Sequence, residues 1–266
     1  MKFFAANKLL AKHIFDTLAI HNIWSRISLK TMFVKYKRSK LGFLWPFINS
    51  FFFAIIISVV FSEILDKNFS DYAPYLISGF IIWNFFTSII SEQTTIFTSN
   101  NIYLKELHYN LFFYIFKKNY ELICIFIVNV LIFIILSALF FHDLSLDSFL
   151  LLINIPLIIV LSVFVAFVFG AINCFFRDFI FVVNNFMRLF FFVTPILWTV
   201  ENAQGARGFI SQYNPFFYLV DMLRSPLISL EINENSYIVY AMLVLLFYFL
   251  TIILYQTVYK KIIFYV

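Results

Sequence analysis

The chain has 266 residues, of which 63% are hydrophobic and 12% are charged, and it carries a net charge of +5. This composition, with 40 phenylalanines, excludes a soluble globular domain and indicates an integral membrane protein. The two cysteines and the four scattered histidines exclude a disulfide framework and offer no metal-ligand spacing.

Residues 1–40 are predicted to form a cytoplasmic amphipathic interface segment. Within residues 8–27 an apolar stripe recurs with helical spacing opposite a charged face. The stripe consists of Leu10, Ile14, Leu18, Ile23, Trp24 and Ile27, and the charged face of Lys8, Lys12, Asp16 and Arg26. These charges exclude a secretion signal and favour a helix that lies along the membrane surface.

Residues 41–266 are predicted to form an all-α transmembrane domain of six helices. A helix needs roughly 20 apolar residues to cross a bilayer. Segments of about that length lie at residues 41–62, 72–91, 122–141, 149–172, 179–200 and 236–259. The segment 179–200 reaches this length only if Arg188 is tolerated within it. No segment alternates between apolar and polar residues as the strands of a membrane barrel do.

The basic residues predict that both termini are cytoplasmic. Lysine and arginine are retained on the cytoplasmic side of short loops. With six spans and both ends inside, the only basic residues in outer segments are Lys67, Arg207 and Arg224. The net positive charge then reflects an inner rim that faces anionic lipid, and we expect no nucleic-acid partner.

Two connections show patterns of their own. Within residues 100–121, Leu104, Leu107, Leu111 and Ile115 recur at helical spacing. This pattern predicts a cytoplasmic helix that contacts either a partner protein or only lipid headgroups. Residues 208–220 are mostly apolar but too short to cross, and Pro215 should break them into two short helices. They form either a re-entrant element beside a cavity or an amphipathic outer loop.

Three charged residues stand out in the apolar stretch of residues 173–200. Arg177 and Asp178 fall at the predicted inner membrane face. They are either a hydrated stop signal or a contact with a partner protein. Arg188 falls inside the fifth predicted span, where it either snorkels to the inner surface or faces a channel.

The sequence contains no evident motif that would supply the energy for transport. No phosphate loop of the form G-x-x-x-x-G-K-[ST] occurs, so we do not expect nucleotide hydrolysis by that route. An ion-coupled carrier is an alternative, but it would hold ionisable groups near the bilayer midplane, where only Arg188 falls. His142 and Asp147 match H-x-x-x-x-D, a short pattern of glycerolipid acyltransferases, so a membrane-embedded transferase is a further alternative.

Four stretches resemble the membrane subunits of ABC transporters that export polysaccharide, namely the O-antigen, capsule and teichoic-acid exporters. They are YKRSKLGFLWPFINS at 36–50, NCFFRDF at 173–179, TPILW at 194–198 and YNPFFYLVDMLRSPL at 213–227. The length, the six predicted spans, the surface helix and the broken outer segment are also similar to that family. Ser50 is a departure, since many relatives have proline there.

The resemblance implies a permease subunit and not an enzyme. Two copies of this chain would join two copies of a separate cytoplasmic ATPase. The ATPase would bind ATP and magnesium, and this chain would bind no cofactor. The assembly would move a lipid-linked glycan, of the O-antigen or capsule type, across the inner membrane of a bacterium. A drug or lipid exporter of similar build is the alternative within the same class.

The resemblance also implies where the ATPase would act. In the family, the inner surface helix and the loop between spans 2 and 3 receive the motion of the ATPase. That assigns coupling to residues 8–27 and to Lys105 and Glu106. Arg177 and Asp178 would contact the ATPase or fix the turn that moves with it.

The substrate path is expected to combine one cation with aromatic rings. Arg188 would meet the pyrophosphate of a lipid-linked substrate, because arginine suits phosphate geometry. Flat apolar rings pack against the C–H faces of sugars. The aromatic candidates are Trp83, Phe86 and Tyr218. Asn214 and Pro215, at the break in the outer segment, are expected to form an outer gate.

Overall fold

The structure is a computed structural model that describes residues 2–37, 39–106, 109–140, 146–199 and 205–266. Within these ranges the chain forms helices and connecting turns, and no strand, so the all-α prediction is confirmed there. The helices are α1 (Lys2–Ala19), α2 (His21–Tyr36), α3 (Trp45–Ile64), α4 (Phe69–Thr94), α5 (Ile96–Ser99), α6 (Asn101–Glu106), α7 (Leu111–Phe140), α8 (Leu151–Phe175), α9 (Phe179–Val193), α10 (Ala206–Tyr213), α11 (Pro215–Arg224) and α12 (Glu234–Tyr265). Short 3-10 helices occupy Gly42–Leu44, Leu146–Leu150 and Ser225–Leu227.

Among the described residues, five helical segments are long and apolar enough to cross a membrane. They are Trp45–Ile64, Phe69–Thr94, Leu111–Phe140, Asp147–Phe175 and Glu234–Tyr259. The prediction of six spanning helices is therefore confirmed for five of the six segments. The ends of these five helices differ by several residues from the predicted ends.

The helix that begins the predicted span 179–200 ends earlier in the structure than was predicted. Helix α9 has 15 residues, which extend over about 22 Å at 1.5 Å per residue and fall short of a bilayer core. The helix ends because Thr194 precedes Pro195, and proline disfavours helical geometry in the residue before it. Thr194 accordingly has an extended conformation, with φ −84° and ψ 137°.

The N-terminal segment forms two helices, whereas one surface helix was predicted over residues 8–27. The break lies at Ile20, whose φ and ψ are −97° and 26°. It allows α1 to pack on α12, where the hydroxyl of Tyr255 lies 2.6 Å from Nδ1 of His13. It also allows α2 to pack on α7, where the rings of Trp24 and Phe116 stack with centroids 5.9 Å apart. Part of the apolar stripe thus covers the bundle itself.

The helix predicted within residues 100–121 is divided in the structure. Helix α6 ends at Glu106, Leu107 lies outside the described residues, and α7 begins at Leu111 and continues into the third span. Leu111 and Ile115 are buried in a cluster of apolar side chains between α7 and its neighbours. Their helical spacing therefore reflects packing inside the bundle and not a separate surface helix.

Helix α4 lies at the centre of the bundle, in contact with α3, α7, α8, α9 and α11. Helix α1 packs on the second half of α12, where the hydroxyl of Tyr248 donates to Oδ1 of Asn7 at 2.8 Å. Helix α11 packs on the start of α12, where Ser236 donates to Asp221 at 2.7 Å. The bundle thus has two distinct ends, which we call the α1 end and the α11 end.

Candidate functional site

A groove of about 620 Å³ runs along α4 between α3 and α9, and we call it the polar groove. Its polar lining consists of Asn84, Thr87, Ser88, Ser91 and Glu92 on α4 and of Asn184 and Arg188 on α9. Its apolar lining consists of Phe53, Phe80, Trp83, Met187, Phe191 and Phe192. The volume lies within the range of small-molecule and cofactor sites.

The polar groove follows from helical spacing on two helices. The five polar residues of α4 recur at positions i, i+3, i+4, i+7 and i+8 from Asn84, so they share one face. Asn184 and Arg188, four residues apart, share one face of α9 for the same reason. The hydroxyls of Thr87 and Ser91 are buried and have no hydrogen-bond partner among the described residues. Unpaired buried hydroxyls are costly, so they favour a hydrogen-bonding ligand or water in the groove.

The polar stripe of α4 was missed by the sequence analysis. Only charged and aromatic residues of the second predicted span were considered there. The signal was present, because polar residues that recur with helical period inside an apolar span indicate a face turned away from lipid.

The charges at the polar groove are unequally compensated. Glu92 forms an ion pair with Lys118 of α7, and Lys118 also pairs with Glu121 at 3.3 Å. Arg188 is exposed and has no carboxylate within ion-pair distance in the described part of the chain. The groove therefore presents one uncompensated cation, on the α9 wall.

The predicted path residues are only partly brought together. Trp83 lines the polar groove together with Arg188, and its ring packs against Phe191 at 6.0 Å and Phe216 at 5.4 Å. Phe86 faces a different cavity on the other side of α4. The hydroxyl of Tyr218 donates to the carbonyl of Gln212 at 2.9 Å, and the residue does not line the groove.

The second cavity is almost entirely apolar, and we call it the apolar cavity. It has a volume of about 460 Å³ and lies between α4, α8, α9, α11 and α12. Phe86, Met187 and Pro215 contribute to its walls, and Ser162 is its one polar lining residue among those the structure describes. Met187 borders both cavities, so α9 separates a polar compartment from an apolar one.

Asn214 and Pro215 form the start of α11, and Pro215 separates two short helices as predicted. The side chain of Asn214 is buried and accepts a hydrogen bond from the backbone amide of Phe216 at 3.0 Å, which caps the helix. Its Nδ2 donates to Oγ1 of Thr194 at 2.8 Å. This contact joins the start of α11 to the end of α9. That α10 and α11 enter the membrane stays a prediction.

The segment after α9, residues 194–199, is bonded to two other helices. The hydroxyl of Tyr72 donates to the carbonyl of Leu197 at 2.5 Å, and that of Tyr75 donates to the carbonyl of Pro195 at 3.0 Å. Nη1 of Arg224 donates to the same Pro195 carbonyl at 2.7 Å. These donors satisfy carbonyls that a continued helix would have paired internally.

The predicted coupling residues lie on two segments at the α1 end, which contact α12. Lys105 and Glu106 are exposed on α6, and Arg177 and Asp178 are exposed in the three-residue connection between α8 and α9. The end of α8 is joined to the short helix before α6 by a bond of 3.3 Å from Asn173 to the hydroxyl of Thr98. This bond joins the two segments that precede the charged pairs, and the role of the four charged residues stays a prediction.

The transferase motif is not tested by the structure. His142 lies outside the described residues, and Asp147 belongs to the 3-10 helix Leu146–Leu150. Among the described residues, no group of three His, Cys, Asp or Glu side chains is placed to hold a metal ion.

Comparisons with known proteins agree with this architecture. The model of the ABC-2 type transporter family matches residues 25–228. An O-antigen export system permease protein RfbA of Klebsiella pneumoniae is 26% identical over 217 residues, which cover 78% of each chain. The RfbA of Myxococcus xanthus is 21% identical over 188 residues, or 70% of this chain and 72% of its own. The resemblance inferred from the four stretches is thereby confirmed, and the chain belongs to the ABC-2 type transporter family of membrane permeases.

Proposed function

We propose that this chain is the membrane subunit of an ATP-driven exporter of a lipid-linked polysaccharide of the O-antigen or capsule type. Two relatives at 21% and 26% identity are described as O-antigen export permeases. Permeases of this family normally work with an ATPase subunit. The absence of a phosphate loop from the sequence agrees with a separate ATPase, which would hold the ATP and the magnesium.

The polar groove is the observation that carries the proposal. A glycan needs a path with hydrogen-bonding groups, and the stripe on α4 supplies amide and hydroxyl groups along about two helical turns. Arg188 adds a cation that suits the phosphate of a lipid-linked substrate. Trp83 borders the same groove, but it is 4% exposed and its ring packs against Phe191 and Phe216, so it supports the wall of the path.

The proposed assembly contains two copies of this chain and two copies of the ATPase. The excess of basic residues in the segments that include α1, α2 and α6 favours a cytoplasmic α1 end and an outer α11 end. In this orientation Lys105, Glu106, Arg177 and Asp178 face the cytoplasm, where an ATPase would bind. The protein would then be a multi-pass protein of the bacterial inner membrane.

The apolar cavity favours a second candidate, an exporter of a drug or a lipid. A cavity of about 460 Å³ with almost no polar lining suits a hydrophobic molecule better than a glycan. An ion-coupled carrier is less well supported. Glu92 and Glu121 are already paired with Lys118, and carboxylates held in ion pairs are poor carriers of a coupling ion.

The experiment that tests the proposal uses the chain purified with its ATPase in vesicles that contain a lipid-linked glycan. Glycan delivery to the opposite leaflet is measured by its accessibility to a glycosidase. Delivery that requires ATP supports the proposal. Delivery driven by a proton gradient without ATP would indicate an ion-coupled carrier. Transport of hydrophobic dyes or lipids without glycan would favour the second candidate.

A variant of the groove tests the role of Arg188. A charge-assisted hydrogen bond contributes about 1.5 to 3 kcal/mol, so Arg188→Gln should weaken binding of a polyprenyl diphosphate by roughly 10- to 150-fold. Polyprenol, which lacks phosphate, should bind as before. The control is Arg26→Gln, the same substitution at an exposed position of α2. Equal binding of the diphosphate by wild type and Arg188→Gln would exclude this role.

A further inference from the structure

A third cavity, of about 410 Å³, lies at the α11 end, and we call it the α11-end cavity. It is bounded by the start of α4, by α11 and by the loop that leads into α12. Its lining includes Lys67, Asp71, Tyr75, Arg224, Glu231 and Asn233. None of the residues predicted from the sequence to bind substrate lies in it, and it shares no lining residue with the polar groove.

One wall of this cavity is held rigid by the carboxylate of Asp221. Its Oδ1 accepts a hydrogen bond from the hydroxyl of Ser225 at 2.8 Å. Its Oδ2 accepts from the hydroxyl of Ser236 at 2.7 Å and from the backbone amide of Asn233 at 3.0 Å. These bonds fix α11, the following loop and the start of α12 relative to one another. A wall fixed in advance lowers the entropy cost of binding a ligand.

Arg224 is a buried cation at the same cavity. Its side chain is nearly enclosed, with 3% exposure, and its guanidinium lies 4.0 Å from the centre of the Tyr75 ring. Nη1 is bonded to the carbonyl of Pro195, but Nε has no hydrogen-bond partner among the described residues. No carboxylate of the described residues lies within ion-pair distance of it. A buried cation with an unpaired N–H donor is stabilised by an additional hydrogen-bond acceptor.

The charges of the lining decide which class of ligand fits. Lys67 and Arg224 are cationic, whereas Asp71, Asp221 and Glu231 are anionic. A strongly charged ligand of either sign would therefore meet like charge on one wall. A neutral polyhydroxyl compound avoids this repulsion, because each of its hydroxyls both donates and accepts hydrogen bonds.

The aromatic lining and the size point in the same direction. The partly buried residues Tyr75 and Phe217 contribute rings to the cavity, and such rings pack against the apolar C–H faces of sugars. The volume of about 410 Å³ lies within the range of small-ligand sites. The combination of rings with polar groups of both signs is the chemistry that a sugar unit requires.

We propose that the α11-end cavity binds a neutral sugar unit of the exported glycan. Sugar hydroxyls donate to Asp71 and Glu231 and accept from Lys67 and Arg224. This inference rests on the proposed function, which places the α11 end on the outer side, where glycan leaves the polar groove. The site would hold the leading part of the chain while the next part enters.

The test measures sugar binding to the complete transporter in lipid nanodiscs. Saturation-transfer NMR is recorded with neutral methyl hexosides and disaccharides, and with a glucuronate and a glucosamine as charged probes. Glu231→Ala and Lys67→Ala should each weaken binding of the neutral sugars at least fivefold. The matched control is Glu234→Ala, an exposed acid three residues further along that does not line the cavity. Thermal unfolding of each variant verifies its fold.

Three results would overturn the inference. They are equal binding of neutral sugars by wild type and both cavity variants, preferential binding of either charged probe, and no binding of any sugar by wild type. The vesicle assay for glycan delivery separates this inference from the proposed function. If wild type delivers glycan but binds no neutral sugar here, only the α11-end site is excluded. If wild type delivers no glycan, the proposed function fails, and a bound hexoside would then show a sugar site without export.

Discussion

The ring of Phe97 on α5 lies directly against Gly170 on α8. A Cβ atom at Gly170 would come within 2.9 Å of Cε2 of Phe97 and within 3.0 Å of Cγ2 of Ile96. Such distances are too short for ordinary packing, so only glycine allows α5 to approach α8 this closely. The contact fixes α5, and α6 with its charged pair Lys105 and Glu106 follows directly along the chain.

The first prediction concerns this approach. Gly170→Ala should destabilise the protein by about 1 to 3 kcal/mol, because the added methyl group overpacks the contact with Phe97. The measurement is the midpoint of thermal unfolding in nanodiscs. Gly79→Ala is the matched control, since its Cβ would meet its nearest neighbours at 3.5 Å, an ordinary contact distance. An equal loss of stability in both variants would contradict the packing argument.

The second prediction concerns the cap of α11. Asn214→Ala removes the bond to the Phe216 amide and leaves the hydroxyl of buried Thr194 without its partner. We expect a loss of about 0.5 to 2 kcal/mol for the cap. Gln212→Ala is the control, because the bond made by Gln212 uses only its backbone carbonyl. A double-mutant cycle with Thr194→Val should show a coupling energy, and its absence would mean that the Asn214–Thr194 contact contributes nothing.

The third prediction concerns the ion pairs of α7. Lys118→Met leaves Glu92 and Glu121 without their shared cation. We expect a loss of roughly 1 to 3 kcal/mol, less than for a fully buried pair, because Lys118 and Glu92 are partly exposed. Thermal unfolding in nanodiscs measures the effect. Lys117→Met, one residue earlier on the same helix, should change stability little, and an equal effect of the two substitutions would exclude the ion pairs as the cause.

The fourth prediction concerns the turn between α8 and α9. Arg177→Ala should uncouple glycan delivery from ATP hydrolysis while membrane insertion is retained, if this exposed turn contacts the ATPase. ATPase rate and glycan delivery are measured on the same vesicles. Lys261→Ala, an exposed basic residue of α12, serves as control. Normal export by Arg177→Ala would indicate that Arg177 and Asp178 only mark the membrane boundary.

The fifth prediction concerns the docking of α1 on α12. Burial lowers the pKa of His13 below its ordinary value of 6.5; Asp16 opposes and Lys12 adds to the shift. Docked α1 therefore binds fewer protons than free α1. The contribution of neutral His13 to the docking of α1 is complete above the ordinary pKa of histidine. It is lost as the pH falls through the lowered pKa of His13.

Hydrogen exchange of residues 2–19 at pH 7.5 and pH 5 measures this docking. Protection should decrease at the lower pH in wild type and in the control His21→Phe, whose parent residue is exposed. In His13→Phe the protection should no longer depend on pH. Equal protection of the wild type at both pH values would contradict the assignment of His13.

The number of apolar segments was largely predictable, because bilayer thickness imposes a length that is visible in the sequence alone. The start of α11 was also predictable, since Pro215 imposes its own backbone geometry. The end of α9 was also indicated, because Pro195 disfavours helical geometry at Thr194, but this signal was not applied to the predicted span at residues 179–200. The hydrogen bonds made beyond this end were not predictable. The donors that replace helical hydrogen bonds after Val193 come from Tyr72 and Tyr75, more than a hundred residues earlier. No local pattern indicates such distant partners.

The candidate site was found only in part. Arg188 and Trp83 were chosen for their chemistry, and the structure places both at the polar groove. Phe86 was chosen by the same criterion but faces the opposite side of α4, because it stands two residues from both Asn84 and Ser88, about 200° around the helix. Helical spacing relates the faces of two residues on one helix, but which face borders a cavity depends on neighbouring helices that the sequence does not identify.

The way in which residues 194–199 are bonded has a mechanical consequence. Tyr72 and Tyr75 attach this segment to α4, and Arg224 attaches it to α11, while Asn214 holds Thr194. Tilting α9 would stretch all of these bonds at once. Any widening of the polar groove during a transport cycle should therefore displace the end of α9, α11 and the start of α4 as a single rigid body. The hinge would then lie at the start of α9, near Phe179.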